Sequence, residues 1–279
     1  MSWKTNRRGR AFERLSVAYP IFWALFGYFV GYLKDGAPTA VLFTIVFGPV
    51  LLVTILIHEL GHAFVAKRLG ADVTDVLIWP LGGATLMDHN LGPKADFWIV
   101  VAGPLTHIPQ LCFWLAQAPI AYHMGDCGPA PHFVLSDCEG SHWERLWYGI
   151  TLFGMMFNIL LFLLNLFPAF PLDGGRALLD VYLACGMTPR RAASLCVALS
   201  VPLTMTAGIL FVIFWGDWLS FVVFFLLLLP NGAMIYLIWT DRLEEHPSFR
   251  NLHITRDDLD RSLLENSEGS ATSASEIQL

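Results

Sequence analysis

The first residues in this chain with the types and spacing for chemistry are Leu56-Ile57-His58-Glu59-Leu60-Gly61-His62, near the end of an apolar run that begins at about residue 39. On a helix, histidines four residues apart lie on one face, one turn apart, so both imidazoles can reach a single metal ion. Glu59, between them, is free to face a water on that ion and take its proton. The plain alternative is two histidines packed in a core. That reading is weakened by Glu59, since an acid in a segment apolar enough to cross a bilayer is costly without a partner and a purpose. A catalytic zinc usually takes a third protein ligand and leaves one position to water. Asp173 is the best candidate, at the end of a later apolar segment and at about the depth of His58 and His62. Pro168 and Pro171 stop the helix before it, and Gly174-Gly175 allows close approach of backbone and metal. The chemistry expected is therefore one zinc ion on His58 and His62, with Glu59 as the base and Asp173 as the candidate third ligand, an ordinary turn at Asp173-Gly174-Gly175 being the alternative.

The elements that must position these groups are membrane helices. Hydrophobic residues make up 55% of the 279 and charged residues only 14%, with a mean hydropathy of +0.55. A soluble domain is nearer a quarter charged, so an all-α polytopic membrane protein is expected. The net charge of −6 hides a segregation of sign. Lys4, Arg7, Arg8, Arg10 and Arg14 crowd the start, while the last forty residues are acidic. No basic, aromatic-interleaved surface points to nucleic acid. Apolar segments at about 17–33, 39–66, 97–121, 143–167, 192–215 and 218–239 predict six spans, the first preferred over a cleaved signal peptide because it is long and no A-x-A site follows. Lys67-Arg68, Arg176, Arg190 and Arg191 place the ends nearest the motif in the cytosol, and with them both termini. Gly103-Pro104 predicts a kink in the third span.

Three stretches fall outside this pattern. Residues 71–96 are apolar but too short to cross, and two β-prone runs around Gly82-Gly83 predict a small re-entrant β-hairpin, with an interfacial loop as the alternative. Such backbone must be buried in protein or line a wet cavity, and its free edge is expected to pair with an extended substrate segment, so Gly82 and Gly83 are expected to bind substrate. Residues 177–187 read as a short interfacial helix. Residues 241–279 are charged and Ser-rich, which predicts a disordered tail. The expected organisation is a basic cytosolic N-terminus over 1–16, a membrane domain over 17–240 with its core at about 39–180, and the tail. Cys127 and Cys138, in the hydrophilic loop over 122–142, are close enough to bridge in an oxidising compartment.

The pair of motifs, HELGH on one span and Asn165-Leu166-Phe167-Pro168-Ala169-Phe170-Pro171-Leu172-Asp173-Gly174-Gly175 on a later one, resembles the site-2 protease family of intramembrane zinc metalloproteases. Ala102-Gly103-Pro104-Leu105-Thr106 is similar to that family's Gly-Pro motif, and Pro80-Leu81-Gly82-Gly83 to its re-entrant loop. The resemblance covers about residues 39–180 and is to the family's minimal members, so neither a PDZ nor a CBS domain is expected. It implies a three-span catalytic core, a zinc endopeptidase activity on transmembrane segments of client proteins, and Asn165 beside the reacting peptide. His107 departs from the family, which commonly carries Asn there; a role in binding substrate, a resting-state ligand role and simple packing all stay open. The competing functions are a zinc transporter and a homologue that binds clients without cutting. Glu59 and Asn165 argue against the first, and the intact set of key residues against the second. A CaaX-type protease would need a downstream Glu or His as third ligand, and no such pattern is present.

Overall fold

The computed structural model describes residues 12–15, a few positions between 20 and 44, and residues 48–79, 82–125, 141–215, 218–246 and 248–249. The described residues are mostly helical with one small sheet, and the chain separates into two compact units. Four described stretches are long and apolar enough to cross a membrane, Gly48–Leu69, Pro93–Ala121, Leu146–Leu166 and Pro189–Leu210, and a shorter apolar helix covers Phe225–Trp239.

The first unit takes in the described residues of Met1–Arg68, Asp72–Met87 and Ala102–Leu164. Its strand β1 (Phe12–Leu15) and helix α1 (Gly48–Leu69) lead into β2 (Asp72–Trp79) and β3 (Gly82–Asp88). β1 pairs in parallel with β2, Phe12 opposite Asp75 and Leu15 opposite Ile78. A parallel pair needs a long crossover, and α1 lies within it. β2 and β3 are neighbours joined by only two residues, which a hairpin permits and a parallel pair does not. Thr74 Oγ1 donates across them to the Leu86 carbonyl at 3.2 Å.

Helix α1 is built inside out. His58, Glu59 and His62 are buried on it, beside Thr54, Ile55 and Ala66, while Val53, Ile57, Leu60 and Phe64 face outward. A helix with polar groups inside and apolar ones outside suits a lipid surround, because its outward side chains need no cover from water. Leu51, Ile55 and Ile78 form a core patch against Leu146, Ile150, Phe153 and Phe157 of α4 (His142–Leu166). The third expected span is two helices, α2 (Pro93–Leu105) and α3 (His107–Gly125), interrupted at Thr106. The expected kink at Gly103-Pro104 thus falls slightly later. Pro109, in the first turn of α3, has no N–H to offer the Leu105 carbonyl, and Thr106 turns its hydroxyl back onto the Gly103 carbonyl at 2.7 Å.

The second unit comprises Leu69–Ala71, Asp88–Val101 and the described residues of Asn165–Leu279. It contains α5 (Asp173–Ala184), α6 (Pro189–Trp215) and α7 (Trp218–Trp239). Its core joins Phe170, Leu179, Ala192, Ala193, Cys196 and Met234 with Leu243 and Phe249. The last two fall within the stretch expected as a tail: although it is charged, Leu243, Phe249 and the ring of His246 are buried. Two further differences concern the N-terminus and the hairpin. The basic segment 1–16 ends in a strand, and Gly82-Gly83 lies inside β3 rather than in the turn. Most of the first expected span lies outside the described residues, though positions 20–22, 24–25 and 28 are helical; Cys127 and Cys138 lie wholly outside them, and Cys112, Cys185 and Cys196 are free thiols.

Candidate active site

In the first unit, His58 Nε2 and His62 Nε2 face each other at 3.1 Å, with both side chains buried. Gly103 makes that arrangement possible. A Cβ at this position would collide with both nitrogens, so it would fill the space they share. Gly61 plays the matching part on α1: a Cβ there would lie 2.5 Å from Thr106 Cγ2 and 2.8 Å from the Ala102 carbonyl oxygen. Two small residues therefore let α1 and the end of α2 approach backbone to backbone. Two imidazole nitrogens turned to one cleared space, in a buried setting, form a donor set that fits zinc.

Glu59 points to the other side of the pair, towards β3. Thr85 Oγ1 lies 2.8 Å from Glu59 Oε2 and 3.0 Å from the Glu59 carbonyl oxygen, so its one proton serves these two acceptors. Gly83 leaves room for the carboxylate, since a Cβ there would come within 2.5 Å of Glu59 Cγ and 2.7 Å of Oε1. Close approach to Glu59, not a turn, is what needs glycine at 83.

On its imidazole's far side, His58 Nδ1 meets His107 Nε2 at 3.1 Å, and His107 Nδ1 meets Asn158 Oδ1 at 3.0 Å. His107, the first residue of α3, is 1% exposed. Its two ring nitrogens meet side chains on two other helices.

In the second unit, Asn165 sits half-buried in the last turn of α4, and Asp173 opens α5. The loop between them is clamped at Phe170. Its N–H donates to Ser200 Oγ, and its carbonyl accepts from Asn231 Nδ2 at 2.6 Å. The two glycines after Asp173 let the loop fold back on the helix start. A Cβ at Gly174 would collide with the backbone of Leu166 and Phe167, and one at Gly175 with that of Ala169 and Phe170. Asp173 also lies where the partial positive charge of the helix N-terminus favours a carboxylate.

The profile of peptidase family M50 matches residues 46–125 and 131–207, more than half of the chain. The chain belongs to family M50, the site-2 protease family. Among curated relatives, Rip3 of Mycobacterium tuberculosis is 32% identical over 185 residues, 63% of this chain and 42% of its own length. Zinc metalloprotease MJ0392 of Methanocaldococcus jannaschii is 33% identical over 141 residues, 50% of this chain and 33% of its own length. Stage IV sporulation protein FB of Bacillus subtilis is 32% identical over 130 residues, 46% and 37% of the two chains. This M50 chain thus spans less than half the length of the curated relatives it matches. The site-2 protease from Methanocaldococcus jannaschii shares the fold, with a TM-score of 0.50 and 22% identity over 83% of this chain and 90% of that one.

Of the residues singled out in the M50 sequence, the first unit brings together His58, His62, Glu59, Gly83 and His107, with Gly82 one residue before Gly83 on β3. Asn165 and Asp173 flank one loop of the second unit. Thr85, Asn158, Ser200 and Asn231 had no motif to mark them. The only sign in the sequence is the setting of the last three: polar side chains in apolar helices, which need partners there.

Proposed function

We propose that this M50 protein is an intramembrane zinc endopeptidase that cuts transmembrane segments of client proteins. The observation that carries the reading is the grouping in the first unit: two buried imidazole nitrogens turned to one space, with the carboxylate of the residue between the ligand positions held by Thr85. His58, His62 and Asp173 would hold one zinc ion, the first two supported by the space cleared at Gly103 and the third by the motif and by its place at the start of α5. When bound, zinc polarises a carbonyl and brings the pKa of water to about 7. Glu59 takes the proton from the attacking water and delivers it to the leaving amine. Asn165 donates to the oxygen on which charge develops.

The client binds as a strand. Among the described residues β3 is an edge strand, with β2 on one side and Glu59 against its Gly83. An extended client segment pairing with the free edge at Gly82 and Gly83 would be laid beside the base, and the client helix must unwind first. We place β2 and β3 as a re-entrant hairpin, the site near the cytosolic face and both termini in the cytosol, with six spans in all, on the basic residues at 67–68, 176 and 190–191.

Metal analysis of two variants tests the ligand set. Glu59→Gln should keep zinc and lose turnover, whereas Asp173→Ala should lose most of its zinc. Full zinc occupancy in the Asp173 variant would remove that residue from the set.

A further inference from the structure

We infer that His107 and Asn158 are positioning residues that fix the tautomer of His58, keeping its Nε2 unprotonated for the metal. The inference rests on the zinc reading above and concerns groups that it does not use.

The relay runs proton by proton. Asn158 Nδ2 donates to the Gly154 carbonyl at 2.8 Å, one turn earlier on α4, which fixes which end of the amide faces His107. Oδ1 is then an acceptor 3.0 Å from His107 Nδ1, so that nitrogen carries the hydrogen. In a neutral ring the other nitrogen is an acceptor, and His107 Nε2 lies 3.1 Å from His58 Nδ1. His58 Nδ1 must therefore be the donor, and its proton is kept off Nε2, the nitrogen that faces His62. A metal needs a ring nitrogen without its proton. A neutral imidazole left alone spreads that proton over both positions.

The members of the relay are buried, Asn158 fully and His107 nearly so. Water cannot substitute for either partner. An amide oxygen and an imidazole thus do the work that a carboxylate or a backbone carbonyl does for most metal-bound histidines, and no net charge enters the apolar bundle. Asn at position 107 has a side chain too short to place an acceptor where Nε2 of this imidazole lies.

The test measures zinc and cobalt(II) affinity of the full-length protein in detergent, by competition with a chelator. His107→Leu and Asn158→Leu should each weaken zinc about 10- to 100-fold and alter the visible spectrum of the cobalt form. Asn158→Asp, which keeps an acceptor facing His107, should restore both. Because Asn158 acts only through His107, the double variant His107→Leu/Asn158→Leu should bind no more weakly than His107→Leu. Equal losses in Asn158→Asp and Asn158→Leu would mark a packing role and overturn the inference, as would native affinity in His107→Leu. A native protein that takes up neither metal would overturn the zinc reading and this assignment together. Uptake by the native protein with unchanged variants would overturn this assignment alone.

Discussion

Thr85 is the side chain through which the sheet reaches the chemistry. Its hydroxyl holds Glu59 Oε2, and a hydrogen bond to a charged group contributes about 1.5–3 kcal/mol. Thr85→Val keeps the shape of the side chain and removes the donor. Turnover should then fall roughly 10- to 100-fold with zinc content unchanged, as read by cleavage rate and metal analysis of the same sample. A parallel loss of metal would mean that Thr85 supports the fold of the site, not the aim of the base. The His58–His62 pair was legible in the sequence because helical periodicity alone puts the two on one face, one turn apart. Thr85 and Asn158 were not, because their roles depend on which strand or helix comes to lie beside α1, and no local spacing encodes that.

At the scale of elements, α5 carries a second testable feature. Asp180 is buried on it, beside Asp96, whose Oδ1 accepts from His89 Nε2 at 3.0 Å. Burial pushes the Asp180 carboxyl up to about 9, and the Asp96 charge adds to this, against an opposing pull from Arg176. An acid whose folded pKa is raised stabilises the protein most below its ordinary value of 3.8 and loses that stability as pH rises towards about 9. The melting temperature of the native protein should therefore fall between about pH 5 and pH 9 relative to that of Asp180→Asn. Parallel curves would refute a proton held on Asp180 at neutral pH. His246 has the opposite sign: burial, then Arg176, bring its pKa down to about 4, so its contribution is lost as pH falls from 6.5. The helices were legible where apolar runs are long, and the 143–167 span matches α4 within a residue at each end. β1 is hidden in a segment whose arginines dominate its composition, since parallel pairing with β2 leaves no local signature. The burial of Leu243 and Phe249 is hidden as well, because composition averaged over forty residues masks a few apolar anchors.

For the whole molecule, the chain belongs to family M50 and carries four described stretches long and apolar enough to cross a membrane, and the spacing of the motifs is enough to nominate the candidate ligands. If a client pairs with the edge of β3 as proposed, a helix that unwinds readily should be cut faster than a uniform one. The most direct measurement is the cleavage rate of a single-span client containing Gly and Pro near the scissile bond, co-reconstituted in vesicles with the native protein or with Glu59→Gln, both loaded with zinc. The native protein should cut the client, and Glu59→Gln should retain zinc with cleavage reduced to the uncatalysed background. Equal cleavage by both proteins, or none by the zinc-loaded native protein on any Gly- or Pro-containing client, would contradict the assignment of Glu59 as the base of an intramembrane endopeptidase.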